Sequence, residues 1–196
     1  MTGKRTEEFL RWDREHIVHS KYRMGSNNGI IIDKGYGIYF QDTEGKEYID
    51  GCSQLLCVNL GYGQAEIISA VREQMEKLQY GTYFFGFSNE PVIKCAQILS
   101  ELVPEGLDHF DFTTGGSESV DLALRLARSY WSAKGKNKYK IISLYDSYHG
   151  VTNGALAATA SGRGFLERGV GPMLPGFIHI PSYLSLIHIS EPTRPY

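Results

Sequence analysis

The chain is short of cysteine, of excess charge and of long apolar runs, and each shortage removes a class of protein. Its three cysteines, Cys52, Cys57 and Cys95, form neither an even disulfide set nor a metal-ligand spacing. A cytoplasmic location with reduced thiols is the expectation, and no metal site. Cys52 and Cys57 are expected as small buried hydrophobes. Basic and acidic residues nearly balance, with a formal net charge of −2. With no basic stripe there is no electrostatic footprint for nucleic acid. No apolar run approaches the length that spans a bilayer, and Met1–Leu10 is too polar for a signal peptide, so no membrane association is expected. Internal repeats and low-complexity tracts are absent. What remains is an ordinary globular composition, 42% hydrophobic and 21% charged over 196 residues, long enough to bury a core.

Phosphate motifs of the common kinds are missing too. No Gly-Lys-Ser/Thr follows a glycine loop, and no Gly-x-Gly-x-x-Gly occurs. The stretch Phe112-Thr-Thr-Gly-Gly-Ser-Glu-Ser-Val-Asp121 stands in their place. Leu107–Phe112, entered from Pro104 and Gly106, reads as a short strand. Val120, Ala123, Leu124, Ala127, Tyr130 and Trp131 recur at helical intervals, which predicts a helix over about Ser117–Trp131. Gly115, Gly116 and Ser117 then sit at a helix N-terminus, where unpartnered amides and the macrodipole favour an anion. The plainer alternative is a helix start with Ser117 as N-cap. Tyr139–Leu144 is a further apolar strand, followed by Tyr145-Asp-Ser-Tyr-His-Gly150. Strand, helix, strand and loop make a βαβ unit with both loops at one carboxyl edge of a parallel sheet. One loop would hold a phosphate while Tyr148 lays its ring on a flat heteroaromatic body.

Gly116-Ser-Glu-Ser-Val-Asp121 together with Tyr148-His-Gly150 resembles the class III aminotransferases, over about Trp12–Tyr183. The resemblance implies an α/β architecture, the type I pyridoxal-phosphate transferase fold, here incomplete. It implies pyridoxal 5'-phosphate as cofactor, with Gly116 and Ser117 on its phosphate, Gly115 shaping the turn and Tyr148 stacked on its ring. His149 lies near the ring or is structural. It also implies an N-terminal meander belonging to a small domain (residues 1–60) and the first part of a large cofactor domain (residues 61–183).

The remaining segments fit that outline. Thr6–Ser20 is a plausible helix that packs without touching chemistry. Ile30–Asp33, Gly37–Phe40 and Glu47–Asp50 read as three strands, with turns at Asp33-Lys-Gly35 and Asp42-Thr-Glu-Gly45. Leu55–Gly63 looks like the branch of the family acting on amines and omega-amino acids with pyruvate, and Leu56 is either a pocket wall or core. Gln64–Leu78 and Glu90–Leu102 are amphipathic helices, the second with a first-turn proline. Tyr80–Phe87 holds five aromatics in eight residues. In the family such a loop nears the active site and the partner subunit of a homodimer, which makes Tyr83, Phe84 and Phe85 pocket residues. Thr152–Ala160 suits a closely packed helix and Phe177–Ile180 a strand.

A lysine covalently holding the cofactor and a carboxylate facing its ring nitrogen are also required. Each lysine here reads as a solvated charge, and in the family both groups come later than Tyr183. No catalytic residue is therefore assigned. Residues 184–196 resemble the translation of a sequencing-library adapter read through at a DNA fragment end. The reading is the N-terminal portion of a transaminase moving an amino group from an amine or omega-amino acid to a keto acid such as pyruvate. Ornithine-type members often carry arginine after aromatic-His-Gly, where Val151 stands here. The alternatives are a decarboxylase or racemase of the same fold, or a non-catalytic phosphate-ligand module.

Overall fold

Between Ile30 and Asp50, β-branched and aromatic residues alternate with turn formers, and the chain folds there into an antiparallel meander. The structure is a computed structural model, described here for residues 3–19, 29–160 and 171–181. Strands β1 (Ile32–Tyr36), β2 (Tyr39–Asp42) and β3 (Glu47–Ile49) pair in that order. The register sets Tyr36 opposite Tyr39 and Phe40 opposite Tyr48. The hairpin turn is therefore Gly37-Ile38, with Gly37 at φ +54°, a conformation glycine adopts without steric cost. Asp33-Lys-Gly35, expected as that turn, lies inside β1, and an irregularity between Ile32 and Lys34 absorbs it. Gly35 serves a different need. A Cβ there would stand 2.5 Å from the Tyr62 ring, so its absence admits that ring against the strand.

Asp42 closes the second hairpin. Its Oδ1 accepts the amides of Glu44 and Lys46, each at 2.9 Å, and its Oδ2 accepts the Tyr48 hydroxyl at 2.9 Å. Burial alone would raise its pKa, but these hydrogen bonds favour the charged form and hold it below the ordinary carboxylate value. Asp50 is lowered chiefly by the hydroxyl of Tyr62, which donates to it at 2.7 Å. Helix α1 (Lys4–His16) docks on this meander through the Thr6–Thr43 hydroxyl pair at 2.8 Å, the Arg5–Asp33 ion pair at 2.9 Å, and the Gly3 amide on Glu44. Thr6 and Leu10 are buried in that contact, so the helix is a packing element, as expected.

The single turn α2 (Ser53–Leu56) is left-handed, with φ between +46° and +67° at all four residues. Each non-glycine residue there carries a cost of roughly 1–2 kcal/mol. Cys52 and Cys57 flank this turn and are exposed, not buried as expected, because the turn does not fold back into a core. Helix α3 (Ala65–Lys77) and the short 3-10 turn Phe84–Gly86 follow. These segments belong to one compact unit, Met1–Ile93.

Helix α4 (Glu90–Leu102) leads into a second unit, Lys94–Tyr196. Its centre is helix α5 (Gly116–Ala133), followed by β4 (Ile141–Leu144), α6 (Asn153–Ala158) and β5 (Phe177–Ile180). Strands β4 and β5 are parallel, with Ile141 opposite Phe177 and Leu144 opposite Ile180. The crossover through α6 buries Ala155, Leu156, Ala157 and Ala158. The expected strand Leu107–Phe112 joins neither sheet. A strand exists only through a paired neighbour, so the βαβ unit that forms is β4–α6–β5, not one built on Leu107–Phe112.

The apolar stripe of the amphipathic helix α3 is open: Ile67, Ile68, Val71 and Met75 are all exposed, along with Leu107, Leu126 and Ile142. The buried apolar side chains among the described residues are only Leu10 and the α6 set. Faces so extensively apolar are expected to associate. At micromolar concentration the 196-residue chain should bind an apolar dye strongly and sediment as an oligomer or aggregate; a sharp monomer boundary without dye binding would contradict this. The depressed carboxyls make a second expectation. Their folded pKa lies below the unfolded one, so their stabilisation is complete above roughly pH 4 and is lost as pH falls through the folded value. Tyr48→Phe removes one donor and should move the Asp42 carboxyl titration, followed by NMR, upward in pH.

Candidate functional site

Helix α5 begins where the sequence predicts. Gly115 is its N-cap with an extended backbone (φ −171°), and the Ser119 amide makes the first helical bond, to the Gly115 carbonyl at 3.0 Å. The amides of Gly116, Ser117 and Glu118 precede that bond and meet no acceptor among the described residues. Ser117 lies in the first turn and is not the N-cap. The loop before it is held by Glu118, whose carboxylate accepts the Thr114 amide at 3.1 Å and also the Thr114 hydroxyl. Thr113 adds a bond to the Gly115 carbonyl at 3.1 Å. A rigid ring of three free amides thus faces outward at the positive end of an 18-residue helix.

The second loop leaves β4 at Leu144 and returns as α6. The Ser147 hydroxyl donates to the Leu144 carbonyl at 2.6 Å, and the His149 ring meets the same hydroxyl oxygen at 3.1 Å. With its proton committed to Leu144, Ser147 can only accept, which assigns the hydrogen to Nε2 of His149. His149 is half-buried and tied within its own loop, which is a structural role. Tyr148 between these two residues is 63% exposed.

The two loops meet at Ser117. Its Oγ accepts the Val151 amide at 3.0 Å, and its carbonyl accepts the Thr152 hydroxyl at 3.3 Å. Because Oγ is an acceptor toward Val151, its own hydrogen remains available to a ligand. Gly150 makes the approach possible. It has φ +136°, and a Cβ there would collide with Ser117 Oγ and stand 2.9 Å from Ala155 Cβ. Gly154 similarly admits the Asp121 carboxylate one turn further along.

Gly115 and Gly116 are different. Neither has a positive φ, and an added Cβ at either would meet nothing within 4 Å. Nothing in the backbone or the packing of the described residues calls for glycine there. What two missing side chains provide is room for something to reach the amides. A neighbouring open cleft of about 470 Å³, bordered by Phe112, Thr114, Glu118, Asp121 and Arg125, does not include Gly115–Ser117 or Tyr148. The amide ring therefore lies on an open surface.

The structure brings Gly115, Gly116, Ser117, Tyr148 and His149 together in one unit. Leu56, Tyr83, Phe84 and Phe85 belong to the other unit and are exposed, Leu56 within the left-handed turn and Phe85 at φ +55°. Sequence reasoning missed Thr159, whose Oγ1 accepts the His149 amide at 2.9 Å, and the Val151 amide. A backbone donor leaves no trace in residue identity, and Thr159 hides at the end of an Ala-rich run.

A helix N-terminus with open glycines is thus bonded, through Ser117, to a loop that bears an exposed tyrosine. The chain belongs to the class III aminotransferases: the family described as Aminotransferase class-III matches residues 22–193. That match ends inside the segment 184–196, which lies outside the described residues. Putrescine–pyruvate aminotransferase of Pseudomonas aeruginosa is 34% identical over 184 residues, covering 92% of this chain and 40% of that protein. An (S)-enantioselective omega-transaminase from Thermomicrobium roseum superposes with a TM-score of 0.85 at 39% identity, over 90% of this chain and 40% of that one. The omega-transaminase of Pseudomonas jessenii, solved in complex with PMP, gives a TM-score of 0.83 at 30% identity, covering 88% of this chain and 39% of that one. The chain spans about 40% of the length of these relatives and has the fold of their N-terminal part.

The contrast between glycines is testable. Gly150→Ala should destabilise the second unit by about 1–3 kcal/mol, from backbone strain and the collision with Ser117, and should speed hydrogen exchange at the Val151 amide. Gly116→Ala should leave stability within about 0.5 kcal/mol of the original. Equal effects at the two positions would contradict the assignment.

Proposed function

We propose that this chain supplies the cofactor-phosphate and ring-contact portion of a transaminase that moves an amino group from an amine or omega-amino acid to a keto acid such as pyruvate. The observation that carries the reading is the pair of open glycines at the α5 N-terminus, bonded through Ser117 to the loop that bears an exposed Tyr148. The donor set fits a phosphate ester. Three free amides, a hydroxyl hydrogen and the positive end of a helix suit a dianion, and no acidic side chain sits on the amides themselves. The exposed ring of Tyr148 suits contact with a planar ring.

Pyridoxal phosphate, when bound, supplies an electron-accepting ring beside the substrate nitrogen. In this reading the Gly116, Ser117 and Glu118 amides and the Ser117 hydroxyl hold its phosphate, and Gly115 leaves the approach clear. Tyr148 covers one face of the ring and excludes water from it. His149 fixes the loop through Ser147. Leu56, Tyr83, Phe84 and Phe85 form the substrate pocket wall; their exposure and the strained backbone at Leu56 and Phe85 support this, since strain gathers at functional sites. Val151 presents no cation at the position after His149-Gly150, which favours donors without a carboxylate to be held there.

Several of the lysines are engaged in local pairs. Lys77 pairs with Glu90 at 2.8 Å, Lys46 lies over Tyr48, and Lys134, Lys136 and Lys138 lie over Tyr130 and Trp131. We place the covalent lysine of the reaction outside this chain. The whole protein would be a cytoplasmic homodimer, with the meander (residues 1–60) in a small domain and residues 61–183 in the cofactor domain.

Two measurements test this. Mixed with pyridoxal phosphate and reduced with borohydride, the chain should show scattered labelling, no single stoichiometric lysine and no transamination. One fully labelled lysine with turnover would mean that the chain carries its own catalytic group. In a full-length protein containing this segment, pyruvate-dependent deamination of a diamine or omega-amino acid is expected. Tyr148→Ala should loosen the cofactor by roughly threefold to tenfold, in line with about 0.5–1.5 kcal/mol for a ring–ring contact; unchanged retention would remove Tyr148 from the site.

A further inference from the structure

Tyr148 is the one ligand-facing group of the site whose ring makes no ring contact with the described residues. Being 63% exposed, it has little packing to orient it. Its direction must then be set by the backbone on either side. Both flanking residues are tied to the chain just after α6. The Ala160 amide donates to the Ser147 carbonyl at 2.9 Å, and the His149 amide donates to Thr159 Oγ1 at 2.9 Å.

Thr159 is fully buried, at 0% exposure. Its hydroxyl hydrogen lies between the Ala155 carbonyl at 2.9 Å and the Gly150 carbonyl at 3.1 Å. A threonine bonding back to the carbonyl four residues earlier is an ordinary helix-end habit. Accepting an amide from a loop ten residues upstream is not, and the Ala155 bond does not account for it. One side-chain oxygen thus touches the backbone at two positions of Tyr148-His149-Gly150. Removing it would leave the part-buried His149 amide without its acceptor, a loss that a shift of the loop would relieve.

We propose that Thr159 is a positioning residue for Tyr148, holding the loop so that the ring lies across the position of a planar ring bound at the α5 N-terminus. The inference rests on the reading of Tyr148 as the ring-contact residue. It assigns Thr159 no contact with ligand. Because the phosphate amides belong to α5, and the loop before them is held by Glu118 and not by Thr159, the effect of Thr159 falls on ring affinity and spares phosphate affinity.

The test uses the 196-residue chain immobilised at low density, where self-association is suppressed. Two probes are titrated: inorganic phosphate, and pyridoxine 5'-phosphate, which has ring and phosphate but no aldehyde to label surface lysines. The original chain should prefer pyridoxine 5'-phosphate. Thr159→Val keeps the side-chain shape and should lose threefold to tenfold of that preference with phosphate affinity retained. Thr159→Ser, which restores the hydroxyl, should recover it. Hydrogen exchange at the His149 amide should accelerate in the valine variant alone. Retained preference in Thr159→Val, or an equal loss for both probes, would overturn the positioning role. If the original chain shows no preference between the probes, the ring reading of Tyr148 fails, and the inference fails with it.

Discussion

The hydrogen bond from the Val151 amide to Ser117 Oγ is the contact on which the site depends. It joins the first turn of α5 to the loop that leaves β4, through a serine whose own hydrogen is not used in the bond. The bond is short enough to form only because Gly150 has no side chain. The groups of the proposed site are referenced to that point: the amides of α5 on one side, Tyr148 on the other. Mutating the ligand-facing groups would remove contacts, whereas widening this junction would displace a whole set of them.

Two kinds of glycine do two kinds of work here. Gly35, Gly150 and Gly154 are demanded by neighbours inside the fold, a tyrosine ring, a serine and an aspartate respectively. Gly115 and Gly116 are demanded by none of the described residues. A glycine that the fold itself does not require is informative about what approaches from outside, and this distinction cannot be drawn from sequence, where all five look alike.

Much of the outline was nevertheless legible. The α5 start followed from apolar period and paired glycines, because a helix N-terminus is a local event. Helices α1, α3 and α4 and strand β5 were legible for the same reason. Failures came where a distant partner decides. Asp33-Lys-Gly35 has the composition of a turn, yet Gly35 serves Tyr62, far along the chain, and Gly37 turns the hairpin instead. Leu107–Phe112 has the composition of a strand, but composition does not supply a neighbour. Cys52 and Cys57 have a burial preference that their left-handed turn overrides. Thr159 has no composition signal at all, since its part is played through one oxygen atom and the backbone.

The contacts that build the proposed corner lie within one stretch of the second unit. Ser117 and Val151 are 34 residues apart, and His149 and Thr159 only 10. Closing the shorter of these costs little chain entropy, and closing the longer costs about as much as the β4–β5 pairing. The proposed ligand corner is thus formed while much of the surrounding apolar surface is uncovered. Binding at that moment would act as a folding aid, stabilising the corner in proportion to free ligand concentration. In a chain with this much exposed apolar surface, ligand supply during synthesis then bears on yield as well as on chemistry.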